Sequence, residues 1–265
     1  TREDPRTPEC RSFYRRLAAE IRRRGLAIVV AMGSAPRDPE LGRTGALSRE
    51  RFNAGLREMA EAILSDIRPD YLTLLAEPDT QTRNTGLAFS PSEFAATVKH
   101  VARGLDRAGA RLGAGAGTWA AQDYFKVLAA LPELDYLDLR LHPIQYGFAA
   151  ERALKAAEIA RSAGKRVAIG GAWLSKAWGR EISRIAPVET FGRDAFSFWQ
   201  PLDGLFIELV ADLAQRLDAE FCSFSGTKYL YGYLEYGAET GRLAPDELVR
   251  LSDRVAEENI RKGVL

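Results

Sequence analysis

The chain has 265 residues, of which 46% are hydrophobic and 28% are charged, and its formal net charge is +1. These values are typical of an ordinary globular protein with a full core, and the balanced charge gives no case for a nucleic-acid or acidic partner. No apolar run approaches the roughly 18 residues of a membrane span, so no membrane association is expected. Two cysteines, Cys10 and Cys222, exclude a disulfide framework and a zinc cluster.

Hydrophobic periodicity and capping residues predict helices that alternate with short strands. Helices are predicted at 8–24, 48–67, 91–108, 119–130, 148–163, 203–217 and 245–262, and strands at 26–32, 71–76, 112–117, 136–142, 166–173 and 221–225. The strand at 26–32 is expected to be buried, and residues 174–202 are expected to be irregular and rich in aromatic side chains.

Alternation of this kind predicts a parallel sheet with helices outside it. A doubly wound sheet is possible, but no G-x-G-x-x-G fingerprint opens a helix after the first strand, so no nucleotide cofactor is predicted. A (β/α)8 barrel of the TIM type needs eight strands, of which six are visible, so the first two are missing from this chain. The chain begins at Thr1 without Met or a signal peptide, which indicates a processed, tagged or truncated product. We therefore expect 1–265 to be a single barrel domain, either incomplete or completed by an N-terminal fragment or by a partner chain.

Glu77 directly follows the predicted strand at 71–76. Side chains alternate along a strand, so Thr73, Leu75 and Glu77 share one face. In a parallel barrel that face points inward, and Glu77 lies at the carboxyl end, where barrel enzymes hold their catalytic groups. The alternative is a glutamate that only caps the following loop.

The strand at 136–142 carries three polar side chains on one face, because Asp138, Arg140 and His142 alternate with leucines. An unpaired charge inside a barrel would be costly, so we predict an interior Asp138–Arg140 pair. His142 is nearest the carboxyl end, where it could meet a substrate.

Four segments resemble the later strands of clan A (β/α)8 glycoside hydrolases. They are Ala76-Glu77-Pro78, Leu141-His142-Pro143-Ile144-Gln145-Tyr146, the strand Arg166–Trp173, and the strand Phe221–Ser225 leading into Lys228-Tyr229. In that superfamily the fourth strand ends in Asn-Glu, often before Pro, and the sixth often ends in His before an aromatic loop. The resemblance covers nearly all of the chain and implies a carbohydrate substrate.

The resemblance implies that Glu77 is the general acid/base, although Ala76 replaces the usual Asn. Gly171 falls where the family has its nucleophile Glu at the end of the seventh strand. This departure indicates a non-catalytic relative, a different mechanism, or a nucleophile removed by mutation.

A glycosidase needs a second carboxyl group, about 5–5.5 Å from the first in retaining enzymes and about 6.5–9.5 Å in inverting ones. The retaining type is implied by the resemblance. Glu189 is the best substitute for the missing group, because its loop could reach the barrel mouth. Asp138, Asp194 and Glu208 are the other carboxylates in this part of the chain.

Aromatic side chains crowd the predicted mouth: Trp119, Tyr124, Tyr146, Trp173, Trp178, Phe198, Trp199 and Tyr229. Sugar rings have apolar faces that stack on such groups. Those at or just after strand ends are predicted to bind substrate together with His142, namely Trp119, Tyr146, Trp173 and Tyr229. Ser175 and Lys176 could add contacts at the rim.

Two other functions fit the same residues. A carbohydrate-binding barrel without catalysis suits Gly171 equally well. A barrel lyase or isomerase could use Glu77, His142 and Lys176, with Ser225-Gly226-Thr227-Lys228 as a faint phosphate-binding turn. A metal site is not expected, because two histidines give too few ligands.

Overall fold

The computed structural model describes residues 7–33, 47–142, 149–178, 180–181 and 184–263. Within these ranges six parallel strands form one sheet in chain order: β1 (Val29–Ala31), β2 (Tyr71–Thr73), β3 (Arg111–Gly117), β4 (Tyr136–Leu141), β5 (Arg166–Ala172) and β6 (Cys222–Phe224). The described helices are α1 (Pro8–Arg23), α2 (Arg49–Asp66), α3 (Pro78–Thr85), α4 (Pro91–Ala102), α5 (Asp123–Ala129), α6 (Ala149–Ser162), α7 (Pro187–Asp194), α8 (Gln200–Leu217) and α9 (Pro245–Lys262).

The sheet curls so that strands far apart in its order meet across its inner face. The Tyr71 hydroxyl donates a hydrogen bond of 2.8 Å to Glu220, which lies just before β6. The rings of Tyr71 and Phe221 are 5.0 Å apart, and Tyr136 contacts both rings. The result is a half-barrel, which confirms the predicted TIM-type fold with two strands missing.

The outer face of the sheet packs on the helices. The side chains of Leu72, Leu112, Leu137, Leu139 and Ile169 are completely or almost completely buried there. This packing leaves the opposite, inner face of the same strands for polar side chains, since successive residues of a strand point to opposite faces.

The helix predicted at 91–108 begins as expected and ends early. Ser90 and Glu93 close a capping box at its start. The helix stops at Ala102, because Arg103 has an extended backbone and Gly104 is left-handed at φ +70°.

Two helices were not predicted. The first, α3, lies between β2 and α4, and its terminal signals are a proline at the first position and Gly86 at φ +77° after its end. The second, α7, occupies part of the segment 174–202 that we expected to be irregular.

The first strand is shorter and more exposed than predicted. Only Val29–Ala31 pairs with β2, and Val29 and Leu26 are 40% and 58% exposed. The reason is its place at the edge of the described sheet, where an apolar sequence alone does not bury a strand. Among the described residues, no helix is long and apolar enough to cross a membrane.

Candidate active site at the carboxyl ends of the strands

Glu77 lies where the chain leaves the sheet. Backbone hydrogen bonds continue past β2, from the Leu74 N–H to Gly113 (2.8 Å) and from the Gly115 N–H to Leu75 (3.0 Å). The chain then turns at Glu77 directly into α3. Glu77 is half-buried, and its carboxylate accepts a hydrogen bond of 2.8 Å from the Thr80 hydroxyl.

The backbone of Glu77 is left-handed, with φ +53° and ψ +74°. For a residue with a side chain this conformation costs roughly 1–2 kcal/mol, and such residues concentrate at functional sites. Glu77 stands at the N-cap of α3, yet its side chain closes no cap hydrogen bond with the helix backbone. The hydrogen bond from Thr80 places the Glu77 carboxylate against the first turn of α3, so the loop-capping alternative stays beside the catalytic prediction.

Five rings follow one another along the carboxyl ends of the strands, and we call them the aromatic row. Their centroids are separated by 4.6 Å (Trp119–His142), 5.7 Å (His142–Trp173), 5.4 Å (Trp173–Phe191) and 6.3 Å (Phe191–Tyr229). The row brings together four of the five residues predicted to bind substrate. Tyr146, the fifth, lies outside the described residues, and Phe191 on α7 was not predicted.

Trp119 joins the aromatic row to the segment that carries Glu77. Its indole N–H donates a hydrogen bond of 3.0 Å to the carboxylate of Asp79, two residues after Glu77. The ring also lies against Gly117, where a Cβ atom would come within 2.2 Å of it. A glycine at this position is what lets the indole approach the strand.

Inside the barrel the predicted ion pair is present, with Arg140 Nη2 at 2.9 Å from Asp138. The fully buried Asp138 carboxylate also accepts hydrogen bonds from the Thr73 hydroxyl (2.8 Å) and the Gly170 N–H (3.0 Å). Burial raises the pKa of Asp138, and the neighbouring Arg140 guanidinium opposes that rise.

Gly170 and Gly171 form an irregularity in β5. Leu139 pairs with Ile169 but Arg140 pairs with Gly171, so Gly170 is an extra residue in the ladder. A Cβ atom on Gly170 would meet the Asp138 carboxylate at 2.2 Å, and one on Gly171 would meet Arg140 Nη1 at 2.7 Å. A side chain at position 171 would therefore point at the guanidinium of Arg140.

A buried charged cluster lies behind Trp173. The ammonium of Lys176 is 3.3 Å from Asp194 and is bound directly by Asp203, which also accepts a hydrogen bond from the Tyr233 hydroxyl. Loss of water on burial raises the pKa of Asp194 to about 6, against the opposing charge of Lys176.

These four side chains and Trp173 line a cavity of about 50 Å³, large enough for water or a small polar group. Asp203 and Tyr233 were not predicted to belong to a site. Lys176 and Ser175 were proposed as rim contacts, but they are 6% and 4% exposed. The segment after β5 packs inward, so these two side chains are part of the interior.

Of the carboxylates considered for the missing second group, Asp194 belongs to this cluster, whereas Glu189 and Glu208 do not line its cavity. Glu189 is exposed in the first turn of α7, and Glu208 is exposed on α8. Of the aromatic residues expected around the mouth, Trp178 is 68% exposed outside the row, and Tyr124 donates a hydrogen bond to the Phe89 carbonyl. Among the described residues, no group of three or more His, Cys, Asp and Glu side chains could hold a metal ion.

The sequence matches no protein family model and no curated protein. An endo-beta-1,4-mannanase from Thermotoga petrophila matches with a TM-score of 0.50 at 12% identity, over 92% of this chain and 61% of the mannanase. A GH10 protein from Paenibacillus barcinonensis matches at 13% identity and a TM-score of 0.49, over 78% of this chain and 67% of its own. An active-site mutant of Rhizomucor miehei beta-1,3-glucanosyltransferase, solved with laminaritriose, matches at 18% identity and a TM-score of 0.46, over 84% and 73%.

The mannanase comparison aligns nearly the whole of this chain with three-fifths of a larger protein. Together with the curled parallel sheet, it shows that the described residues have the fold of a (β/α)8 barrel, with six consecutive strands present.

Proposed function

We propose that this protein acts on glycosides, with Glu77 as the general acid/base. The observation that carries the proposal is the aromatic row, which places five partly exposed rings together at the carboxyl ends of the strands. Sugar rings stack on such faces while nearby polar groups fix their orientation. His142 lies within the row, between Trp119 and Trp173, and supplies a polar group there.

Glu77 is proposed to protonate the leaving oxygen of the glycosidic bond. Its segment is held beside the row by the Asp79–Trp119 hydrogen bond. In a retaining enzyme a second carboxylate attacks the sugar and later releases it to water. Gly171 occupies the position proposed for that group, so the chain as it stands lacks the covalent step unless another nucleophile enters.

A second carboxylate of this chain could take over that role. Glu189 remains a weak substitute, because its side chain is exposed on α7. Asp194 lines the same cavity as Trp173. Asp194 is, however, engaged with Lys176 in the buried cluster.

A second candidate function is carbohydrate binding without hydrolysis, and Gly171 is the observation that favours it. The lyase or isomerase alternative loses support from two contacts. Lys176 is buried and paired with Asp194 and Asp203, so its side chain is not available to a substrate. Lys228 in the proposed phosphate turn pairs with Asp253 at 2.8 Å.

Turnover of a panel of aryl glycosides tests the proposal, using wild type, Gly171→Glu and Glu77→Gln, each with and without azide or formate. A small anion can take the place of a missing carboxylate. Activity that appears only with the anion, or only in Gly171→Glu, and that is lost in Glu77→Gln, is the expected result. Unaided activity that needs Glu77 but ignores Gly171 would move the second carboxylate elsewhere, to Glu189 first.

Binding of oligosaccharides separates the two candidates. Trp173→Ala is expected to weaken binding about tenfold or more through lost stacking, whereas Trp178→Ala, which removes an exposed tryptophan outside the row, serves as the matched control. Binding without turnover under any condition would leave the non-catalytic function. Equal binding by wild type and Trp173→Ala would reject the row as a sugar site.

A further inference from the structure

Helix α7 is attached to the segment after β5 by two contacts with the same spacing. The ring of Phe191 is stacked on Trp173, with 5.4 Å between the centroids and 17° between the planes. Three residues further along both segments, the carboxylate of Asp194 lies 3.3 Å from the ammonium of Lys176. Residues three apart lie on the same side of a helix. One side of α7 therefore presents both the ring and the carboxylate to this segment.

Helix α7 also packs against α9, next to a small hydrophobic core that is separate from the core of the barrel. The buried members of this small core are Ala195, Phe196, Leu234 and Leu248. A Cβ atom on Gly192 would meet Pro245 at 3.1 Å, so the two helices approach each other closely. The contacts at Trp173 and Lys176 can therefore loosen while α7 keeps its packing on α9.

The Lys176 ion pair contains a surplus negative charge. The one ammonium faces two carboxylates, Asp194 and Asp203, and the side chains of Lys176 and Asp194 are only 3% and 4% exposed. The other titratable side chains that line the same cavity are Tyr229 and Tyr233. Burial raises the pKa values of both tyrosines, so they stay neutral and do not balance the charge.

A proton on Asp194 removes this surplus charge. Burial raises the pKa of Asp194 to about 6; the ammonium of Lys176 opposes the rise, and the carboxylate of Asp203 adds to it. If α7 moves away from Lys176, the carboxylate regains water and returns toward its ordinary pKa of 3.8. The attached arrangement therefore binds the proton more tightly, and it loses stability as the pH rises from about 4 to about 6.

We propose that Asp194 is a positioning residue that controls the aromatic row through α7. With its proton, Asp194 keeps α7 on the segment after β5 and keeps Phe191 stacked on Trp173. Without the proton, the surplus charge loosens α7, and Phe191 leaves the stack. The consequence for sugar binding rests on the proposed function, whereas the movement of α7 does not.

Hydrogen exchange of the 265-residue chain, measured by mass spectrometry at about pH 4 and about pH 7 and corrected for the intrinsic exchange rate, tests the movement. In wild type the protection of α7, relative to that of α6, is expected to be severalfold lower at the higher pH. Asp194→Asn keeps the shape of the side chain without titrating, so its α7 should be protected equally at both. Asp212→Asn, at an exposed position on α8, should behave like wild type.

Equal relative protection of α7 in wild type at the two pH values would overturn the proposal, and so would the same change in Asp194→Asn. The wild-type comparison needs no substitution, so it decides the question even if Asp194→Asn does not fold.

Oligosaccharide binding at the same two pH values tests the effect on the aromatic row. The affinity of Asp194→Asn relative to that of wild type should rise severalfold from about pH 4 to about pH 7, because other titrating groups cancel in this ratio. A constant ratio alongside a loosened α7 would reject the positioning role. A loosened α7 without affinity for any sugar would leave the movement standing and reject the glycoside function instead.

Discussion

Gly170 and Gly171 are neighbours in sequence but have different surroundings. Replacement by alanine is therefore expected to lower the free energy of unfolding more at position 170 than at position 171. In Gly170→Ala the new Cβ atom displaces the fully buried Asp138 carboxylate from the Gly170 N–H, at an expected cost of about 1–3 kcal/mol. In Gly171→Ala the new atom meets Arg140 Nη1 at 2.7 Å, and Arg140 Cδ and the exposed Ser225 hydroxyl at 3.2 Å, which are side-chain atoms that can shift. We expect its free energy of unfolding to stay within about 1 kcal/mol of wild type.

Urea unfolding of the two alanine variants checks this prediction. Each serves as the control for the other, since both add one methyl group to the same strand. Equal stability of the two variants would contradict the position given to the Asp138 carboxylate.

Asp194 is expected to make the protein less stable as the pH rises. Its pKa is about 6 in the folded protein, against an ordinary value of 3.8, so the folded state holds the proton more tightly than the unfolded state. The free energy of unfolding should therefore fall between about pH 4 and pH 6, by up to about 3 kcal/mol from this group.

Asp194→Asn removes that titration. The difference in unfolding free energy between the variant and wild type should grow in favour of the variant from pH 4 to pH 6 and then level off. Asp212→Asn, at an exposed position on α8, is the control. A difference that does not change with pH would show that Asp194 titrates normally.

The contact between Asp138 and Arg140 could be predicted from the sequence, because side chains alternate between the two faces of one strand. Asp138 and Arg140 are two residues apart on β4, and their shared face and pairing followed from the pattern. The cluster of Lys176, Asp194 and Asp203 depends on how segments far apart in sequence fold over the end of the barrel. No local pattern carries that information.

At the scale of elements, Glu220 ties together strands that are not neighbours in the sheet. Its carboxylate binds the Tyr71 hydroxyl of β2, and Arg111 and Arg166 at the starts of β3 and β5. Its side chain is only 10% exposed. These contacts cross the inner face and help to hold the sheet in its curled form.

Glu220→Gln is expected to lower the free energy of unfolding by about 1–3 kcal/mol, because the arginines and the tyrosine lose a charged acceptor. Glu257→Gln, which affects an exposed pair with Arg261 at 3.5 Å, should change stability by less than about 1 kcal/mol. Chemical denaturation of both variants measures the effect. A loss no larger for Glu220 than for Glu257 would rule out the cross-sheet tie.

The elements themselves were largely predictable, and the exceptions have separate causes. Helix α3 is almost entirely polar, so it has no apolar stripe for a periodicity argument to find. Its signals were a proline at the start and a glycine past the end. The edge strand β1 was predicted too long, because apolar composition does not reveal whether a strand has neighbours on both sides.

At the scale of the molecule, the described sheet has two open edges, β1 and β6. We propose that an N-terminal fragment or a partner chain supplies the missing strands of the barrel. For the chain alone, hydrogen exchange should be fast at β1 and β6, where Val29 and Ser223 are exposed, and slow at the buried β4.

Exchange measured by mass spectrometry on the 265-residue chain tests this expectation. Protection of β1 equal to that of β4 would mean that the edges are covered in solution. The hydrodynamic mass measured in the same buffer then shows whether a second copy covers them.

The left-handed backbone of Glu77 lowers stability, whereas the proposed acid/base role requires the carboxylate at this position. Glycine adopts that conformation without strain, so a laboratory selection for heat tolerance alone would enrich glycine at position 77 and discard the carboxylate. Under the proposed acid/base role of Glu77, selection on sugar turnover would keep the glutamate despite the strain. The residue recovered from two such evolution experiments would reveal which demand acts on this position.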